Sequence, residues 1–133
     1  MLIFDNNLSF EFTDFKNNKF KKIYLVSNKN ENRSIKLNEK VIKFKHLLFE
    51  DQVKRLKEQS IDCEIIDISE IKKIDEKNIG LYPTVGENLD YLNLNNLKIN
   101  FLYRRLDQYS WQYCNKGFFN FKNYIPKIIS NFA

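Results

Sequence analysis

An open α/β fold, a parallel Rossmann-like sheet with flanking helices in a single domain, is predicted by three features of this sequence. Short β-branched and aromatic runs at Met1–Phe4, Ile23–Val26 and Cys63–Ile68 each end in polar residues, as strands buried on both faces do. Between the second and third runs, Leu37–Gln59 contains no proline or glycine and is rich in Leu, Lys, Glu and Gln, which favours a helix. Strand, helix and strand within about 45 residues make a βαβ unit with a right-handed parallel crossover. Its 133 residues suit one core and are short for a two-domain enzyme.

Taken in order, Met1–Phe4 reads as a strand closed by the turn Asp5-Asn6-Asn7, and Leu8, Phe10 and Phe12 at a spacing of two suggest a second extended piece. Ile23–Val26 leads into a polar loop at Ser27-Asn28-Lys29-Asn30. On the helical wheel Leu37, Val41, Phe44 and Leu48 share one face, and Ile42, Phe49, Val53 and Leu56 share its neighbour. That broad stripe predicts a helix packed on the sheet. Glu50, Lys54 and Glu58 are spaced for i, i+4 ion pairs. Ile79–Val85, with Pro83, reads as a loop or a short edge strand, and Leu97–Leu102 as a further strand. Aromatic density then rises with weak periodicity until Phe119–Ile129.

Composition narrows the function classes. Hydrophobic residues make up 43% of the chain and charged residues 29%, an ordinary globular composition that argues against disorder of the whole. Three glycines and two prolines do not support a turn-dense all-β architecture. Cys63 and Cys114 are far apart, and His46 has no partner at metal-ligand spacing, so no metal site is expected. The start MLIFDNNLSFEF lacks the basic flank of a signal peptide, and no run approaches the ~20 apolar residues of a membrane span. A cytoplasmic protein with reduced thiols and no membrane partner is expected.

Neither GxGxxG nor GxxxxGK[ST] can be built around Gly80, Gly86 and Gly117, which disfavours the common dinucleotide and P-loop modes. Ligands of open α/β sheets nevertheless sit beyond the carboxyl ends of the strands. Those ends supply Asp5, Asn6 and Asn7, then Ser27 and Asn28, then Ser69 and Glu70. The first five are the candidate cofactor-binding residues, suited to hydrogen-bonding a nucleotide or flavin. The same residue types also terminate strands and open turns. His46 has no Ser, Cys or Asp in catalytic order around it, and no catalytic residue is assigned.

Charge is segregated. From Tyr91 onward six basic residues face one acid, Asp107, so this part carries the whole net charge of +5. Trp111 and the run Phe118-Phe119-x-Phe121 lie in the same segment, about residues 98–133. Phosphates reward Lys and Arg, and unstacked bases reward aromatic rings. Arg104, Arg105, Trp111, Lys116 and Lys122 are therefore the candidate nucleic-acid contacts. Asp107 is close enough in sequence to pair with either arginine.

The strand IYLV followed by KLNEKVIKFKHLLFEDQVKRLKEQSIDCEIIDI resembles the amino-terminal α/β domain of the photolyase and cryptochrome superfamily. In that family a long helix passes into a strand through an L-x-x-x-G-x-x-V pattern. Here the matching stretch runs from Leu56 to Cys63, with Ser60 at the usual glycine. The tail KGFFNFKNYIPKII, Lys116–Ile129, resembles the segment that leaves the domain. The resemblance implies an antenna-type module, freestanding or part of a split protein whose partner is an FAD-binding helical domain. Two alternatives stand beside it: a structural or regulatory subunit using the aromatic tail as a protein interface, and a small enzyme using the strand-end carboxylates Asp5 or Glu70.

Overall fold

The computed structural model describes residues 1–9, 15, 19–74 and 78–132. Two compact units divide the chain, Met1–Leu102 and Tyr103–Ala133. The first contains a five-stranded, all-parallel sheet built from β1 (Leu2–Phe4), β2 (Ile23–Ser27), β3 (Cys63–Asp67), β4 (Ile79–Leu81) and β5 (Asn100–Leu102). Its order is β3-β2-β1-β4-β5. The chain thus builds outward from β1 to β3, then crosses to the other side of β1 and builds outward again. This is an open, Rossmann-like α/β sheet, and its topological switch point falls between β1 and β4.

Alternation along the strands sorts the core into two layers. Ile3, Ile23, Leu25 and Leu81 pack with Phe49 and Leu56 of the helix α1 (Glu39–Glu58). Leu2, Phe4, Val26 and Ile66 pack on the opposite face with Ile68, Ile71 and Leu92, the last from α2 (Glu87–Leu94). Both faces are covered, which explains why the strands read as continuous apolar runs. At its start α1 is capped by Asn38, whose side chain accepts from the Lys40 N–H at 2.9 Å. At its end Ser60 takes φ 58°, a left-handed turn that favours glycine.

Three sequence expectations need correction. β4 is not an edge strand: it lies between β1 and β5. Gly80 makes this interior position possible, since a Cβ there would meet the Leu2 Cβ and Ile99 Cγ2 at 3.2 Å. The apolar stripe of α1 is buried only in part. Phe49 and Leu56 are buried, whereas Val41, Phe44 and Leu48 remain exposed, because the short strands cover only one sector of the helix. The β5 strand is shorter than expected, and Leu97 and Ile99 ahead of it pack into the second core layer. The extended piece expected around Phe10 and Phe12 lies outside the described residues.

The second unit is helical: α3 (Arg105–Trp111), α4 (Phe118–Phe121) and α5 (Ile125–Phe132), joined by short 3-10 turns. Aromatic contacts hold it together. Tyr113 stacks on Tyr124 with centroids 4.4 Å apart, and Tyr109 meets Phe132 at 5.4 Å. The Asn131 amide donates to the Tyr109 hydroxyl at 2.9 Å. The predicted basic segment therefore straddles a boundary, with residues 98–102 belonging to the sheet unit and the rest to the helical one.

Candidate ligand site at the carboxyl ends of the strands

The switch point places Asp5 immediately after β1, with its side chain 3% exposed. A carboxylate so far from water needs charged partners. Arg33 Nη2 donates to it at 3.0 Å and Lys45 Nζ at 2.7 Å. The Asn88 amide donates to its other oxygen at 2.8 Å. Arg33 reaches two further acceptors, the Glu87 carboxylate at 2.8 Å and the Asn28 carbonyl at 2.7 Å. One guanidinium thus joins β1, the loop after β2 and the start of α2, using the fork geometry a lysine lacks.

The loop between β2 and α1 is tied down throughout. Asn30 donates to the Leu37 carbonyl and accepts from the Leu37 N–H. Glu87 also accepts from the Ile35 N–H at 3.1 Å. That bond, against an opposing push from burial and with help from Arg33, holds the Glu87 carboxyl below its ordinary range. From the other side, Asp67 at the end of β3 accepts from Asn32 at 2.9 Å and from the Lys29 N–H at 3.3 Å. Burial pushes the Asp67 carboxyl up, but hydrogen bonds from Ser69, Asn32 and Lys29 outweigh it and hold the group below the usual carboxylate range.

The sign of the resulting pH dependence follows. A carboxylate with a lowered folded pKa contributes stability that is fully present above its unfolded value of about 4 and is lost as pH falls through the folded value. Asp67→Asn is expected to flatten the decline of the urea midpoint below about pH 5. An unchanged decline in the variant would show that Asp67 carries none of it.

A cavity of about 320 Å³ opens beside this network, a size at the lower end of small-ligand sites. Leu37, Ile42, Phe49 and Ile65 form apolar walls, while Ser27, Asn28 and Lys45 supply polar groups. Lys45 is 28% exposed. It can turn toward a ligand while Asp5 keeps Arg33 and Asn88. A second cavity, of about 340 Å³, shares Asp5 and Asn6 with Gln52 and Arg55.

The five sequence-predicted ligand residues take different roles. Asp5 and Asn28 are buried in the network and line the first cavity, as does Ser27, whose hydroxyl donates to the Ile66 carbonyl at 3.2 Å. The Asn28 amide donates to Asn88 at 3.0 Å, and its Oδ1 is buried with no hydrogen-bond partner among the described residues. Asn6 donates to the Pro83 carbonyl and the Thr84 hydroxyl, so it ties β1 to the loop after β4. The Asn7 N–H closes the turn on the Phe4 carbonyl at 2.9 Å. At the third strand end, Glu70 accepts from the Asp67 N–H at 2.8 Å and Ser69 donates to Asp67, forming a capping box.

Sequence reasoning missed Arg33, Lys45, Glu87 and Asn88. Lys45 left a readable signal, a cation at helical spacing between Ile42 and Phe49 on an otherwise apolar stripe. Gly86-Glu87-Asn88 carried a weaker one, glycine and an acid at a helix start. Arg33 left none, since only the fold brings it to Asp5. His46 is 67% exposed and lies 3.4 Å from Glu50, an ordinary i, i+4 pair.

In the helical unit, Arg104 Nε pairs with Asp107 at 2.8 Å, which fulfils the structural ion pair. Arg105, Lys116 and Lys122 are exposed. Trp111 meets Tyr103 edge-on at 5.9 Å. A hydrogen bond between the two phenols raises the Tyr109 pKa and lowers that of Tyr113, and Tyr113 in turn raises Lys127.

Among the described residues no three His, Cys, Asp or Glu side chains converge on a metal position, and no helix is long and apolar enough to cross a membrane. No protein-family model, curated protein or solved structure matches this chain.

Proposed function

We propose that this protein is a binding module, of the kind exemplified by the amino-terminal domain of photolyases and cryptochromes, that takes a nucleotide-like or flavin-like ligand at its strand ends and a nucleic acid on its basic aromatic segment. The observation that carries the first part is the cavity of about 320 Å³ beside Asp5. Its apolar walls suit a flat ring, and the two lysines that line it, Lys45 of α1 and Lys29 of the loop after β2, suit a phosphate or ring oxyanion. The surrounding loop is already ordered by Arg33, Asn30 and Asp67, which lowers the entropy lost on binding. The second part is supported by the charge segregation of the chain, whose whole net charge of +5 falls in the aromatic-rich part from Tyr91 onward.

FMN and ATP are the probes for the cavity, titrated calorimetrically against the parent and Lys45→Met. At least one of them is expected to bind, and the variant to bind it about tenfold or more weakly, the loss typical of one charge-assisted hydrogen bond. Absence of binding by both probes, or equal affinity in the variant, overturns the cavity reading. A parent that binds neither and self-associates instead moves the weight to the protein-interface alternative.

A further inference from the structure

Most rings of the helical unit are spent on its own packing. Tyr109, Tyr113, Tyr124 and Phe132 contact one another, and Trp111 is engaged edge-on by Tyr103. Phe118 and Phe119 differ: they are 67% and 79% exposed. So large an apolar area on two adjacent residues costs solubility unless something covers it. The rings lie 5.9 Å apart at 68° to each other. Lys122 Nζ sits 5.9 Å from the Phe119 centroid, within cation–π range, and Lys116 stands two residues before Phe118. Gly117, at φ 78° and ψ 173°, supplies the backbone conformation that turns the chain from the Lys116 loop into α4, one nearly confined to glycine.

From this arrangement we infer that Phe118 and Phe119 form a stacking platform for a single-stranded nucleic acid, with Lys116 and Lys122 contacting its phosphates. The inference deepens the nucleic-acid part of the proposed function and rests on it. Charge selects this occupant over an apolar protein surface, because Lys116 and Lys122 bracket the ring pair in sequence, Lys122 lies over Phe119, and the nearest acid in sequence, Asp107, is held by Arg104. Ring geometry selects single strands over duplex. Two faces inclined at 68° cannot both lie parallel to bases that remain stacked on each other, so the two bases must be splayed, which a duplex forbids. Of the five contacts the sequence suggested, this keeps Lys116 and Lys122 and replaces Arg104, Arg105 and Trp111 with the ring pair between the two lysines.

The test is fluorescence anisotropy of a labelled single-stranded 12-mer and of its duplex, with the full chain, across a salt series. The parent is expected to prefer the single strand. Phe118→Ala with Phe119→Ala is expected to weaken that binding about tenfold or more, with unchanged far-UV circular dichroism because neither ring is buried. Phe118→Leu with Phe119→Leu keeps apolar bulk without an aromatic face and is expected to weaken it as well. Lys116→Ala with Lys122→Ala is expected to reduce the slope of log K against log salt by about 1.4, roughly 0.7 per phosphate contact. Single-strand binding that survives both phenylalanine pairs overturns the platform while leaving the polyanion reading in place. Equal affinity for duplex does the same. No binding to either nucleic acid overturns both.

Discussion

Asp5→Asn is expected to lower the unfolding free energy of the sheet unit by about 3 kcal/mol, at the low end of the roughly 3–5 kcal/mol that follows loss of one partner from a buried ion pair. The variant keeps the shape of the side chain, so the effect reports charge. Arg33 would then be left 8% exposed with Glu87 as its remaining anion, while Lys45, at 28% exposure, can turn to water. That asymmetry keeps the expected cost from reaching the upper end of the range. Urea unfolding of the parent, of Asp5→Asn and of Arg33→Met, combined in a double-mutant cycle, gives the coupling directly. A loss below about 1 kcal/mol would mean that the network is no more than a surface pair in energy.

Phe4→Ala is expected to cost about 3–5 kcal/mol, the usual loss for a large ring removed from a packed core. Phe4 is fully buried in β1, the central strand, against Val26, Ile66, Ile71 and Leu92. The residue after it is Asp5, so a cavity here also loosens the strand end that holds the network. Phe44→Ala provides the contrast. Helical-wheel reasoning puts Phe44 in the buried stripe, yet it is 60% exposed in the structure, and its loss is expected to stay within about 0.5 kcal/mol. Comparable destabilisation by the two variants in thermal or urea unfolding would return Phe44 to a core and contradict the packing of α1.

Legibility followed the range of the interactions involved. The strands β1, β2 and β3 and the helix α1 were readable because their signals are local: apolar runs bounded by polar turns, and a long stretch of strong helix formers without proline or glycine. The short strand β4 was half-readable. Its residues read as extended, but its interior place depends on Gly80 allowing Leu2 and Ile99 to approach, a fact about neighbours distant in sequence. The helix α2 went unread, since eight residues with Asn and Asp among them give little periodicity.

The candidate site divides the same way. Asp5, Ser27 and Asn28 were legible because the carboxyl end of a parallel strand can be located from the strand alone. The roles within the site were not. Asn6 ties a loop and also accepts from Asn88 at 3.4 Å, and the Asn7 N–H closes a turn. Arg33, Lys45, Glu87 and Asn88 come from a loop and two helices whose contact with Asp5 spans 28 to 83 residues of sequence.

The sequence by itself determined the α/β class, the first βαβ unit, the strand ends that face the site and the segregation of positive charge, because residue type and spacing fix local conformation and formal charge. Only the tertiary structure decided the strand order, the half of α1 that is buried, the pairing of Asp5 with Arg33 and Lys45, and the exposure of Phe118 and Phe119. Those depend on which surfaces meet in space, and burial energies and ion pairs are set by that meeting and not by position along the chain.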